Sequence, residues 1–355
     1  MVGPTQWGTC ICTVHNIGSG SLVYWNSNIA VVSSNEREII ILDASTGRQT
    51  ATLSGYTSRI RSLACSSDGT FLVSGSDDYT IKLWDVQTGG VVKTFSHTDT
   101  VKSVSISADD TMIIFASSDY SVHLWNIRTG SHHIIRRYSK IVKTVIFSPI
   151  NFQFLTSDGD TIQQWDINGH EIGYPVPGRY IAFSPDGTQF ASAYGATVTI
   201  RNTSPIMTIV EFNLKGVVDH CCFSPDGSII AVVVHNAIHL WDITGPDPCP
   251  IQTLLGHSSW ITSLVFSSPY NLISTSLDHS IKFWQISASP ADPVLPNSKS
   301  SPLTTTQIKC VSLQARDGLA FSIDSAGVVK TWDILTGCCK KSYKTEIEED
   351  RKSVV

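Results

Sequence analysis

The sequence predicts an all-β fold in which one four-stranded antiparallel unit is repeated, and three observations predict it. A strand-like run ends at one recurring position, at Trp84, Trp125, Trp165, Trp241, Trp284 and Trp332, with Leu42 and Arg201 at the two remaining copies. The runs IKLWD, VHLWN, IQQWD, IHLWD, IKFWQ and VVKTWD share one grammar. Successive positions are 42, 41, 40, 36, 40, 43 and 48 residues apart, and a period near 40 with four short strands per copy is that of a β-propeller blade. Turn residues punctuate each copy at regular spacing, as short strands require. Eight copies predict eight blades, with seven the alternative if one terminal copy is displaced.

The elements follow in order. The first copy reads as strands at Leu22 to Trp25, Ile29 to Ser33 and Glu38 to Leu42. The copy SGSDDYTIKLWD, ending at Trp84-Asp85, is the clearest. In the seventh copy Ile261, Leu264 and Phe266 supply the apolar side of a first strand. Asn271 to Ser276 form a second strand, Asp278-His279 a tight turn, and Ser280 to Trp284 a third strand. The first hairpin turn recurs as FSPDG at Phe183–Gly187 and Phe223–Gly227, where proline presets φ and glycine supplies positive φ. Asp186 is therefore expected at the surface. The eighth copy reads as Ile308 to Leu313, Leu319 to Ile323 and Val328 to Trp332. Either Thr9 to Val14 or Cys338 to Tyr343 completes the last blade, since an open ring would leave unpaired edges. One domain over residues 1–345 is expected, with blades ending near 53, 95, 136, 174, 213, 254, 307 and 345. A Ser/Pro-rich loop at 285–307 carries Ser289-Pro290 and Ser301-Pro302, and a charged tail occupies 346–355.

Composition narrows the function. Of 355 residues, 41% are apolar and only 15% charged, which suits half-buried strands. The formal charge is −5, so bulk attraction to nucleic acid or to an anionic membrane is not expected. No apolar run approaches the length of a membrane span, and the N-terminus lacks the pattern of a secretory leader. A cytoplasmic protein, or a nuclear one, is expected. Nine cysteines without a CxxC argue against zinc and against a disulfide framework; they are expected as buried thiols in a reducing compartment.

With these motifs in place, the chain resembles the WD-repeat propeller family over residues 20 to 345. That resemblance implies a buried tetrad in well-formed blades, in which a His, a Ser or Thr, an Asp and the Trp hydrogen-bond in a chain. Only the seventh copy carries the full set: His257, Ser274 or Ser276, Asp278 and Trp284. The second copy has Tyr56 in place of His but keeps Ser74, Asp78 and Trp84, and the third has His97, Asp119 and Trp125. These histidines are read as structural. The FSPDG turns and the degenerate fifth copy are similar to propellers that follow nucleotide-binding switch domains in fungal signalling proteins.

No Walker loop, GxSxG or HExxH occurs, and no cluster of acid, base and nucleophile suggests an enzyme. His132-His133 point to opposite faces of a strand and are poorly placed to share a metal. No catalytic, cofactor or metal residue is assigned. One register stands out: four residues before the Phe-like position of the first strand lie Arg61, Lys102, Lys143, Arg179 and Lys309, against Asp219 and Thr262 in the sixth and seventh copies. Either the family habitually places a basic or small polar group there, or the groups form a rim for an acidic or phosphorylated protein partner. Arg59 and Trp260 stand two residues earlier; Trp260 is either a binding anchor or packing against the next blade. The expected function is a non-enzymatic scaffold that binds proteins through its top face and channel rim. The alternative is a substrate receptor or adaptor of a ubiquitin ligase or another multiprotein enzyme.

Overall fold

The computed structural model describes residues 8–15, 20–32 and 35–286, and the strands at 308–314, 319–324, 328–333 and 339–344. Every regular element among them is a strand. The chain divides into two compact units, Met1–Ala291 and Asp292–Val355, where the sequence suggested a single domain to residue 345.

In the first unit seven four-stranded antiparallel sheets form a ring of blades, a β-propeller. Six blades take four consecutive strands each. The seventh takes Ile261–Ser268, Asn271–Ser276 and Ser280–Ile286, and borrows its outermost strand, Gly8–His15, from the N-terminus. The innermost strands begin at Leu22, Ile60, Val101, Thr144, Tyr180, His220 and Ile261, and each lies against the next around the ring, the last against the first. Across that closure Thr275 donates its hydroxyl to the Gly20 carbonyl at 3.3 Å. Ile273, Ile281 and Phe283 of blade 7 share one apolar cluster with Leu22, Ile29, Val31 and Leu42 of blade 1, and Val14 of the borrowed strand packs against it.

The expectation of eight blades is corrected to seven. Gly8–His15 pairs with Ser280–Ile286, the strand that carries Trp284, not with the last copy, so the ring closes one repeat earlier than the count of motifs implied, as in the seven-blade alternative. The eighth copy has its own four-stranded sheet, Ile308–Gln314, Leu319–Asp324, Val328–Asp333 and Cys339–Lys344, in the second unit. An outer edge can be paired only once, and the N-terminal strand is the one that pairs it. Of the loop expected at 285–307, residues 285 and 286 instead end the strand Ser280–Ile286, and the remainder, like the expected tail at 346–355, lies outside the described residues.

The core lies between blades. Trp25, Ile39 and Ile41 of blade 1 pack on Leu63, Leu72 and Trp84 of blade 2, a pattern that repeats around the ring. A central strand is covered on both faces, so Ile229–Val234 is buried at every position, whereas the outer strand His132–Arg137 is largely exposed. Serines at the start of the inner strands serve the same contact. Ser21, Ser62 and Ser103 accept the backbone N–H of Leu63, Val104 and Val145 on the next blade at 3.1–3.2 Å. Strands that ladder hydrogen bonds cannot reach from the neighbouring sheet are thereby tied together.

The FSPDG turns have glycine at positive φ, as at Gly187 and Gly227, but their aspartates do more than face solvent. Asp186 accepts the Ser184 hydroxyl at 2.6 Å, the Thr188 hydroxyl at 2.8 Å and the Thr188 N–H at 3.1 Å, and its pKa is lowered chiefly by the Ser184 bond. Asp186→Ala is therefore expected to cost about 1 kcal/mol by chemical denaturation, the value of one mostly exposed capping cluster. The cysteine expectation also needs correcting. Cys221 is buried, and burial pushes its thiol up to about 12, but Cys10 and Cys249 are exposed because both lie on outermost strands.

Candidate binding face

Inner strands start on the face that also carries the turns between each blade's second and third strands. Backbone bonds fix the two together: the N–H of Asp77 reaches the Arg59 carbonyl, that of Ser118 reaches Thr100, and that of Leu277 reaches Trp260. The residues of the predicted register sit on this face by two devices. In blades 2, 3 and 7 the inner strand bulges, so Arg61, Lys102 and Thr262 are the extra residue between two paired positions; the backbone of the second unit repeats this at Lys309, whose side chain is outside the described set. A bulge re-aims the side chain it carries. In blades 4, 5 and 6 the strand starts just after this position, so Lys143, Arg179 and Asp219 precede it, each N–H bonded to the carbonyl of Ser157, Ala193 or Val233.

The electrostatics are not those of a uniform basic rim. Arg61 grips Asp77 through Nε at 2.8–2.9 Å and Nη2 at 2.6 Å, and Lys102 lies 3.7 Å from the same carboxylate. Arg59 pairs with Glu36 at 2.9 Å. Hydrogen bonding to Asp77 shifts the Arg61 pKa further up. Among the described residues Lys143 and Arg179 form no ion pair, and both are exposed; the Arg179 guanidinium lies 5.4 Å from the ring centre of Tyr180. Among the described residues at this register, the cations of blades 4 and 5 are the ones with no carboxylate partner. Sequence alone sees only that the bases recur, because their carboxylate partners come from the turns of other hairpins.

The same face presents apolar groups. Trp260 is 53% exposed, and Tyr79, Tyr120, Tyr194 and Leu277 are similarly open. Trp260 is both packed and available: its ring lies 4.9 Å from His235 of blade 6, over a shallow depression lined by Asn236, Ser258 and Ser259. The tyrosines carried no signal in the repeat reading, since Tyr79 and Tyr120 stand in turns and Tyr194 at the very end of a strand. Tyr79 and Tyr120 hold positive φ, which is uncommon for a bulky residue and marks sharply turned backbone.

Beneath this face the blades differ in how the central indole is satisfied. In blade 7 Trp284 Nε1 donates to Ser274 Oγ at 2.8 Å. Ser274 bonds His257 Nε2 at 2.8 Å, and His257 Nδ1 meets Asp278 at 2.8 Å. Ser276 is not the tetrad hydroxyl: it donates to the Ser259 carbonyl. In blade 2 Tyr56 and Trp84 both bond Ser74, at 2.6 and 2.7 Å, and in blade 4 Trp165 bonds Thr156 at 2.8 Å. Arg201 of blade 5 stands where the indole would be and donates to Ser192. Blades 3 and 6 put Phe115 and Val232 at the hydroxyl position, and the Nε1 groups of Trp125 and Trp241 have no partner. A buried donor left unpaired costs about 1–3 kcal/mol, so these blades are the less firmly held.

The sequence model of the family described as "WD domain, G-beta repeat" matches residues 47–85, 89–126 and 248–285. Those segments end in the third strands of blades 2, 3 and 7, whose histidine or tyrosine, aspartate and tryptophan are present. These three segments are WD repeats by this match, and the ring that contains them is a β-propeller. The chain is similar to the Target of rapamycin complex subunit wat1 of Schizosaccharomyces pombe, with 25% identity over 134 residues, 38% of this chain and 40% of that one. It is also similar to Nuclear distribution protein PAC1-2 of Uncinocarpus reesii, at 28% identity over 62% of this chain and 37% of that protein. The chain spans less than half the length of these curated relatives. A chain in the crystal structure of the mitotic checkpoint complex superposes with a TM-score of 0.71 at 17% identity, covering 81% of this chain and 97% of that one; that likeness is one of fold.

Proposed function

We propose that the chain is a non-enzymatic scaffold that binds protein partners on the face bearing Trp260, working in the cytoplasm or nucleus. The observation that carries this reading is the combination on one face of open aromatic side chains, Trp260 at their head, with unpaired Lys143 and Arg179. Aromatic anchors beside cations are the composition of binding hot spots. The relatives support it in kind, since one is a subunit of a complex by its own description and a fold neighbour occurs within another. An acidic or phosphorylated segment is the fitting partner for the blade 4 and 5 side, because Lys143 and Arg179 have no carboxylate beside them, whereas Arg61 and Lys102 share Asp77 and Arg59 pairs with Glu36.

Affinity purification with mass spectrometry from matched cells tests the proposal. Trp260→Ala is expected to reduce recovery of specific partners about tenfold or more, the effect of losing a hot-spot residue. Lys143→Glu with Arg179→Glu is expected to slow association, an effect that shrinks with added salt. Arg61→Glu is unsuitable for this purpose, since it would set a second carboxylate against Asp77. Unchanged partner recovery for both variants rejects the face. Recovery of ubiquitin-ligase subunits would instead point to the adaptor role.

A further inference from the structure

We propose that blade 3 holds a divalent transition-metal ion of the zinc class, ligated by the imidazoles of His97, His123 and His132. One ring nitrogen of each lies within 4.8 Å of those of the other two. His123 is on the third strand of the blade, Ser121–Asn126, and His132 on the outer strand His132–Arg137 beside it. Their nitrogens Nδ1 and Nε2 are 3.1 Å apart. Two nitrogens bound to one tetrahedral zinc at about 2.0–2.1 Å stand about 3.3 Å apart, so this pair already has the spacing of an edge of such a site. His97 reaches the cluster from the loop before the inner strand, and its buried Nε2 lies 3.3 Å from the Asp119 carboxylate.

The surroundings hold the rings in place. Phe115 stacks on His123 with centroids 4.7 Å apart and planes 2° from parallel. Because Phe115 takes the position of the tetrad hydroxyl, His97 has no serine to bond and turns toward His123, their ring centres 4.5 Å apart. The far nitrogen of His123 meets Ser121 Oγ at 2.5 Å and Asp119 at 3.5 Å. A histidine that binds metal through one nitrogen and a hydroxyl or carboxylate through the other has its tautomer and orientation fixed. Asp119 also stands 3.3 Å from His97 and supplies the negative charge nearest a bound cation. His132 is exposed, so an ion can arrive from solvent and a fourth position is open to water.

His132 and His133 do alternate across the outer strand, as the sequence predicts, and they share no site. The partner of His132 lies across the hairpin, where diagonal neighbours share a face.

Titration of the purified chain with cobalt(II) followed by absorption, and with zinc(II) by calorimetry, tests the site. One equivalent of ion is expected to bind, with visible bands of tetrahedral cobalt and no thiolate charge-transfer band. His132→Ala, a change at an exposed position that leaves the fold intact, is expected to weaken binding at least about tenfold. Asp119→Asn is expected to weaken it in the same direction, and His133→Ala to leave it unchanged. His123→Gln adds a second ligand deletion where it folds, but His132→Ala is the decisive variant. Binding weaker than about 100 µM, thiolate bands as the sole spectral signal, or affinity indifferent to His132→Ala would overturn the proposal and leave a metal-free hydrogen-bonded histidine cluster.

Discussion

Deleting residues 1–15 is expected to abolish the cooperative thermal transition of the propeller or lower its midpoint by roughly 10 °C, a loss on the order of 5 kcal/mol. Gly8–His15 pairs with Ser280–Ile286 from Gly8↔Ile286 to His15↔Ser280, and Lys282 Nζ donates to Thr13 at 3.1 Å. Without it blade 7 keeps three strands and a bare edge, which invites pairing with other molecules, and the cluster joining blades 7 and 1 loses Val14. Removing residues 292–355 is expected to leave that transition in place, because the ring of the first unit uses none of them. Differential scanning calorimetry of both truncations checks the pair. Equal loss from the two would mean that the eighth repeat is part of the ring's closure.

Asp278→Ala is expected to cost about 2–4 kcal/mol by chemical denaturation, against about 1 kcal/mol for Asp186→Ala. Asp278 accepts from His257, from the Ser258 N–H at 3.0 Å and from the Ser280 hydroxyl at 2.6 Å. The alanine leaves all three donors at a site where the His257 side chain has no exposed surface. Burial acts to raise the Asp278 pKa, but the bonds from Ser280, His257 and Ser258 outweigh it and hold the group at about 2, below its ordinary 3.8. A carboxyl whose folded pKa is depressed stabilises the fold above its unfolded value and loses that contribution as pH falls through the folded one. The difference between wild type and Asp278→Ala is therefore expected to be full above pH 4 and to narrow toward pH 2. His257, lowered by burial against the opposing pull of Asp278, separately makes the wild-type fold less stable as pH drops below about 6.5, where the unfolded chain takes up the proton more readily than the fold does. A gap between wild type and mutant that stays constant from pH 4 to 2 would show that the carboxylate is not the group that matters.

What the residues determined by themselves was the repeat. Strands of about six residues, turns that need glycine or proline, and an indole every forty residues are local facts. The basic register of Arg61 and Lys102 recurs for the same reason, as does the complete set His257, Asp278 and Trp284, whereas the bulges that carry the register show only in the strand pairing. The tetrad hydroxyl was narrowed to two serines of one strand, and packing chose Ser274. Three matters were settled only in three dimensions. The number of blades in the ring depends on which strand pairs the edge of Ser280–Ile286, a contact between residues some 270 positions apart that repeat counting does not contain. The character of the rim depends on Asp77 and Glu36, which approach Arg61, Lys102 and Arg59 from separate turns. The histidine cluster of blade 3 depends on Phe115 displacing a hydroxyl, on one hairpin bringing His132 beside His123, and on a loop from outside that hairpin delivering His97. Periodicity specifies what each strand buries; charge pairing and ring closure depend on neighbours distant along the chain, which only the packed fold brings within a few ångströms.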